Sequence, residues 1–295
     1  MLHNNNMPAQ EPYALDARTG WYLPIKPVVV RHDEYPEDGF ERLLAMQREH
    51  FWYIGRHRFL YRALTESLRR YLRRPGPLQA VDLGGGCGGW IDYLAARAGG
   101  RFAELALGDM SPRALELAGP GRPRYQIDLL DLGWKDRWDV AFLLDVLEHL
   151  PDDVSALRQI TRALRPGGLL VVACPALQLF WSYNDVLANH CRRYSRADFA
   201  GLAGAGGLEL CRTRYFMFLL SPLLWWARRR GPDLANLTPR QARNLLDHTH
   251  RVPAAPINST LAFIFSAETP LGWHLPFPWG TSIVGIFRKP NTSSV

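Results

Sequence analysis

Three acidic residues and one run of glycines are the positions of this 295-residue chain best suited to hold a ligand. In Val81-Asp82-Leu83-Gly84-Gly85-Gly86-Cys87-Gly88-Gly89-Trp90 an acid stands near the end of an apolar, β-prone run, and five glycines follow within six positions. Glycines let the main chain turn sharply and let a ligand come close to the backbone. A helix-like segment at 90–97 follows, and its first N–H groups would face that ligand. Asp109, in Leu107-Gly108-Asp109-Met110-Ser111, closes a second apolar run. A carboxylate there can accept both hydroxyls of a ribose, with Met110 beside it. Asp128, in Tyr125-Gln126-Ile127-Asp128-Leu129, closes a third. It can accept from an adenine amino group while the adjacent Leu129 N–H meets a ring nitrogen. Asp82, Asp109 and Asp128 thus form a polar rim suited to one nucleoside.

A second cluster lies in the segment 180–195. His190 could serve as a base with Asp185 orienting it. Arg192 and Arg193 could hold a carboxylate or phosphate on an acceptor molecule. The same residues also suit a structural role, with His190, Arg193 and Tyr194 tying the segment to the next helix and Ser195 as that helix's N-cap. Both readings stay open on the sequence.

These residues need a scaffold that brings strand ends together. Residues 1–38, rich in Asn and Pro, read as a loosely ordered leader. Residues 39–74 carry Phe40, Leu43, Leu44, Phe51, Ile54, Phe59, Leu60, Leu64 and Leu68 at helical spacing, closed by Pro75-Gly76-Pro77. Strands then alternate with helices. Strands are expected at 80–83, 102–107, 125–127, 138–144 and 169–173. Helices fall between them, one opened by Ser111-Pro112 and one at 152–164 closed by Arg165-Pro166-Gly167-Gly168. The fourth strand is almost wholly apolar, as burial on both faces requires. This alternation predicts an α/β, doubly wound parallel sheet. A helix at 196–205, a strand at 208–216 and a last strand at 282–287 complete it. Between them, 217–280 is apolar and rich in Pro and Trp.

Composition bounds the partners. Apolar residues are 47% of the chain, enough for a substantial core. Net charge is +7, from 35 basic and 28 acidic residues, and all but Lys26, Lys135 and Lys289 of the basic residues are Arg. This suits an anionic substrate or membrane surface. No basic-aromatic module or repeat points to nucleic acid, and none is expected as a partner. The four cysteines are far apart, so neither a zinc site nor a disulfide framework is indicated, and no metal is expected. No signal-peptide pattern or spanning apolar run occurs, which predicts a cytoplasmic setting.

The glycine run fits two patterns. Gly84, Gly86 and Gly89 satisfy G-x-G-x-x-G, the dinucleotide fingerprint. Asp82, Gly84, Gly86 and Gly88 satisfy D-x-G-x-G-x-G, the pattern of S-adenosylmethionine-dependent methyltransferases. Two further runs favour the second. Trp138-Asp139-Val140-Ala141-Phe142-Leu143-Leu144-Asp145-Val146-Leu147-Glu148-His149-Leu150 resembles the fourth-strand motif of class I methyltransferases, and Leu164-Arg165-Pro166-Gly167-Gly168-Leu169-Leu170 resembles their approach to strand five. The resemblance covers 80–174. It implies a seven-stranded Rossmann-like sheet in the order 3-2-1-4-5-7-6, with the last strand antiparallel, S-adenosylmethionine as cofactor, and Asp145 among the residues around it.

Outside that core, Glu49-His50-Phe51-Trp52-Tyr53-Ile54-Gly55-Arg56 is similar to the opening of a bacterial small-molecule branch, in which an N-terminal helix covers the cofactor. By that likeness Arg56 would grip the cofactor's carboxylate and Trp52 or Tyr53 would shield its sulfonium. The D-x-x-x-x-H-x-R-R-Y run from Asp185 to Tyr194 resembles the same branch, often found in biosynthesis of sugars, lipids or secondary metabolites. That puts Arg192, Arg193 and Tyr194 on the acceptor side, and His149, just after strand four, could face the methyl group. The expected domain is 39–295, with a helical cofactor cover at 39–74 and a cap or lid insertion at 217–280. The stretch 216–230 suits a lipid surface or, preferably, a buried cap over the acceptor. The expected reaction is methyl transfer to oxygen or nitrogen of a small molecule that is anionic or linked to a sugar, nucleotide or lipid. A nicotinamide-dependent oxidoreductase and a non-catalytic cofactor-binding protein are the alternatives.

Overall fold

The structure, a computed structural model, describes residues 12–28, 39–72, 74–229, 231, 237–238, 240–241, 244–245 and 251–291. The expected leader at 1–11 and 29–38 lies outside the described residues, as do Arg230 and much of the expected cap between 232 and 250.

Nine strands among the described residues make one sheet. In chain order the elements are β1 (Tyr13–Leu15), β2 (Tyr22–Pro24), α1 (Phe40–Glu49), α2 (Phe51–Tyr71), β3 (Leu78–Leu83), α3 (Gly89–Ala95), β4 (Phe102–Asp109), α4 (Pro112–Leu117), β5 (Arg124–Gln126), β6 (Trp138–Leu144), α5 (Asp153–Ala163), β7 (Leu164–Pro175), α6 (Tyr183–Leu187), α7 (Arg196–Gly206), β8 (Glu209–Phe216), α8 (Ser221–Arg229), α9 (Ala255–Ala267), α10 (Thr269–Gly272) and β9 (Ser282–Arg288). The sheet order is β1-β2-β5-β4-β3-β6-β7-β9-β8. Counted from β3, this is 3-2-1-4-5-7-6, with β9 antiparallel to both its neighbours. The doubly wound α/β sheet of a class I methyltransferase is therefore present.

Two strands were not expected. Within the stretch read as a loose leader, β1 and β2 form a hairpin, and β2 pairs with β5 at Tyr22↔Tyr125. Aromatic packing fastens it: Tyr22 stacks on Tyr125 at 4.6 Å, and the Tyr13 hydroxyl donates to Leu132 O at 2.9 Å. Three-residue strands carry too little periodicity to show in a sequence. The second difference is at Arg165-Pro166-Gly167-Gly168, expected as a helix stop. It lies inside β7, where the register against β6 slips between Trp138↔Leu164 and Val140↔Leu169. The irregularity absorbs the proline and the φ of +74° at Gly167.

Period-two alternation distributes the core to both faces of the sheet. On β6, Val140, Phe142 and Leu144 pack with Phe59, Leu60, Leu64 and Leu68 of α2, while Ala141 and Leu143 pack with Leu157 and Ile160 of α5 and Phe199 of α7. The whole strand is buried. The helical region 39–74 is two helices, broken at His50, whose backbone is extended and whose Nδ1 accepts from Trp52 N at 3.2 Å. Asn258 of α9 seals the break: its side-chain oxygen accepts from Phe51 N at 2.8 Å and its nitrogen donates to Glu49 O at 2.7 Å. One asparagine thus ties the break between α1 and α2 to α9. No helix among the described residues is long and apolar enough to cross a membrane.

Candidate active site

The C-terminal ends of the parallel strands open into a cavity of about 1060 Å³. Ligand sites generally run to about 300–1,000 Å³, so two small molecules fit side by side. At one end lies the glycine loop after β3. Gly84, Gly86 and Gly88 have φ of +71°, +59° and +80°, where a side chain is strained. A Cβ on Gly84 would also meet Val146 at 2.7 Å. The loop is held from two sides. Asp109 at the end of β4 accepts from Gly86 N at 2.8 Å and from Ser111 N at 2.9 Å. Gln47 of α1 accepts from Gly89 N at 3.1 Å and donates to Gly85 O at 3.2 Å. Asp109 therefore organises the loop that would receive the ligand.

Asp82, Gly84, Gly86, Asp109, Met110 and Leu129 all line the cavity. Two expected residues do not. Gly88 caps α3 and faces Leu107 and Arg122; its type is explained by its left-handed φ. Asp128 turns its carboxylate back to Leu130 N at 2.9 Å, an aspartate turn two residues long, and its neighbours Ile127 and Leu129 form the wall instead. Ile127 N donates to Asp109 O at 3.0 Å, so the second and third strand ends are adjacent as the nucleoside rim requires.

Asp82 Oδ1 is buried without a partner, and so is Arg56 Nε; both residues line the cavity. Burial pushes the Asp82 carboxyl up to about 7, Arg56 opposing and Asp109 and Asp145 adding to the rise. An unpaired buried acceptor and an unpaired buried donor suit a zwitterionic ligand, ammonium to Asp82 and carboxylate to Arg56. In the structure Arg56 pairs with Asp145 at 2.7 Å and lies over the rings of Trp52 and Tyr53 at 5.1 and 5.5 Å. Trp52 thus faces a guanidinium where the sequence suggested a sulfonium shield. Asp145 has a left-handed φ of +58°, a backbone strain held at the site. Burial raises its pKa and Arg56 resists that rise.

The other end of the cavity is built from the turn after β6 and the segment around α6. His190 Nδ1 sits 3.0 Å from Asp185 Oδ1. Although burial pushes Asp185 up, His190 and Arg193 overcome it and hold its carboxyl well below the ordinary range. The carboxylate is therefore a fixed anion that orients the imidazole. The rings of His149 and His190 meet edge to face at 4.8 Å. Burial, then His190, brings His149 down to about 4, so it is neutral near pH 7.

In the Arg192-Arg193-Tyr194 run the structure shows the ties that were one of the two open readings, and Arg193 also lines the cavity. Arg193 donates to both oxygens of Asp185, at 2.7 and 3.0 Å, and to Ala176 O at 3.1 Å. Arg192 reaches Asp153 at 2.8 Å and Pro151 O at 3.0 Å, and the Tyr194 hydroxyl donates to Asp153 at 2.8 Å and to Leu147 O at 3.1 Å. Two buried carboxylates need these partners, because unpaired they would be costly. Neither Arg192 nor Tyr194 lines the cavity.

Two lining residues escaped the sequence reading. Glu148 is fully buried, and burial followed by Asp145 raises its carboxyl well above the usual range. Its position inside the Asp145–Leu150 run was visible, but its inward direction depends on a short 3-10 turn. Arg228 of α8, within the stretch expected preferably as a buried cap, lines the cavity. Burial, then Arg193, lowers its pKa. Leu223 and Trp226 on the same helix face outward.

A family model described as a methyltransferase domain matches residues 54–213. A trans-aconitate 2-methyltransferase of Methylobacterium nodulans is 38% identical over 104 residues, 34% of this chain and 39% of that protein. The chloroplastic tocopherol O-methyltransferase of Arabidopsis thaliana is 29% identical over 101 residues, 32% of this chain and 29% of that protein. The chain thus spans less than half the length of either curated relative. Among solved structures, phosphoethanolamine N-methyltransferase 2 of Haemonchus contortus, in complex with S-adenosyl-L-methionine, superposes with a TM-score of 0.55 at 15% identity, over 93% of this chain and 65% of that one. That likeness concerns the fold.

Proposed function

The chain belongs to the methyltransferase-domain family, as a class I S-adenosylmethionine-dependent member, and we propose that it methylates an oxygen of a small, anionic, partly apolar acceptor. The observation that carries the reading is one cavity shared by the glycine loop and the Asp185–His190 pair. Bound S-adenosylmethionine supplies an electrophilic methyl on a cationic sulfur. Gly84 and Gly86 would admit it to the backbone, Asp109 and Leu129 would flank its nucleoside, and Asp82 and Arg56 would take its amino-acid end. Asp185 holds the Nδ1 proton of His190, which leaves Nε2 with a lone pair for the acceptor side. An oxygen acceptor needs such a group because a hydroxyl must give up its proton on methylation. The tocopherol O-methyltransferase among the relatives supports oxygen over nitrogen.

On the acceptor side, Arg228 supplies a cation, and Leu224, Val252 and Pro253 supply apolar wall. With the outward Leu223 and Trp226, α8 suits an acceptor drawn from a lipid surface as well as one in solution. Much of the rate would come from holding the acceptor oxygen in line with the methyl group in a site sheltered from water. Titration calorimetry with S-adenosylmethionine and with NAD tests the cofactor half, and only the former is expected to bind. Assay of anionic phenols and hydroxy acids with labelled methyl donor tests the rest. Transfer should fall at least a hundredfold in His190→Ala with donor affinity kept. Retention of full transfer in that variant contradicts the reading.

A further inference from the structure

Three side chains at the acceptor end converge on one point. Glu148 and His149 sit on the turn after β6, and His190 comes from the segment after α6; one donor atom from each lies within 4.8 Å of the other two. All three line the cavity. Glu148 is completely buried, and its carboxyl has only the Cys174 thiol and the main chain as hydrogen-bonding neighbours. A buried carboxyl with such weak partners calls for an explanation, and a bound cation is one that also uses both rings. The groups behind the histidines are those that orient metal ligands. His190 Nδ1 faces Asp185, itself gripped by Arg193, so Nε2 is left for an ion. The backbone of Ala188 and Asn189 hydrogen-bonds to the His149 ring. Carboxylate and backbone partners of this kind fix ring orientation in metal sites. Cys191 N donates to Glu148 O at 2.7 Å, which pins the two contributing segments together.

We propose that Glu148, His149 and His190 bind one divalent transition-metal ion whose open position faces the acceptor. The inference rests on the cavity being the methyl-transfer site, and there it replaces proton acceptance by His190: the Nε2 lone pair holds the ion, and the ion activates the acceptor. Two imidazoles and a carboxylate suit zinc and its first-row neighbours better than magnesium. Bonds of about 2.0–2.2 Å put tetrahedral donor atoms about 3.4 Å apart, so the side chains close on the ion by about 1 Å of movement. The ion lowers the pKa of the acceptor hydroxyl, whose proton leaves to water. The oxygen then forms its bond to the methyl carbon as the methyl–sulfur electron pair returns to sulfur, leaving a neutral thioether.

The test is titration of the chelator-treated full chain with Co²⁺, followed by calorimetry and visible absorption. One equivalent should bind with ligand-field bands of nitrogen and oxygen ligation. Glu148→Gln and His190→Ala should each weaken it at least tenfold, and Asp185→Asn about tenfold through the orienting contact. S-adenosylmethionine affinity, measured on the same samples, should stay within about twofold and so report an intact fold. If Glu148→Gln does not fold, His190→Ala carries the same comparison. Absence of a one-equivalent Co²⁺ site, or a site that these variants leave unmoved, overturns the inference. Co²⁺ binding by a chain that does not bind S-adenosylmethionine would instead remove the proposed function and leave the metal site standing.

Discussion

The two ends of the cavity are built differently. At the glycine end the main chain does the shaping: three residues with positive φ, a loop amide held by Asp109, and strand ends fixed by sheet register. At the acceptor end side chains do it, through Asp185, Arg193, His190, Asp153 and Tyr194, drawn from segments up to 41 positions apart. A backbone-built site demands particular residue types at fixed spacing. A side-chain network demands only that partners meet, and the same residues can hold a ligand or hold each other.

The largest test of this contrast is Arg193→Ala. If Arg193 is a strut, its loss strands the buried Asp185 carboxylate and should destabilise the protein by about 3–5 kcal/mol in denaturant unfolding. A residue that merely held the acceptor would leave stability unchanged. Gly84→Val is next. It strains a backbone at φ +71° and drives a side chain into Val146. Together these cost on the order of 2–4 kcal/mol, and S-adenosylmethionine affinity should fall at least thirtyfold by calorimetry.

The legibility of each region follows from the same contrast. The strand positions and the glycine loop were readable because period-two alternation and glycine-only φ values leave marks in one strand or turn, while the sheet order came from the family resemblance. The β1–β2 hairpin was not, since three-residue strands stabilised by Tyr22 on Tyr125 carry no repeat. Asp128 was placed at the correct strand end, but a local turn to Leu130 N took its carboxylate. Arg192 and Arg193 read equally as anion holders or as ties to the next helix, because the sequence did not show Asp153 and Asp185 beneath them. Arg228 stood in a stretch that suited either a buried cap or a lipid surface, because the direction of α8 over the cavity is set by tertiary packing.

Two pH effects refine the comparison. In the free protein Asp82 keeps its proton up to about pH 7. A cationic ligand favours the ionised form, so affinity should rise by up to about tenfold per unit from pH 6 toward 7 and level off above it. Asp82→Asn should flatten that rise in titrations across pH.

The smallest effect lies at Glu268, between α9 and α10. Glu268 accepts from the main-chain nitrogens of Met217, Phe218 and Leu219, and burial raises its carboxyl to about 7 despite those bonds. Its folded pKa lies above the unfolded value of 4.5. The contribution to stability is therefore complete below pH 4.5 and is lost as pH rises through 7. Glu268→Gln should flatten this part of the stability profile by on the order of 1 kcal/mol in thermal unfolding.

The most direct test of the account is calorimetric titration of the full chain with S-adenosylmethionine at pH 7.5, for the native protein, Gly84→Val and His190→Ala. One site is expected in the native chain, largely lost in Gly84→Val and kept in His190→Ala. Equal loss in both variants, or binding of NAD in place of S-adenosylmethionine, would contradict a cavity divided between a backbone-built donor end and a side-chain-built acceptor end.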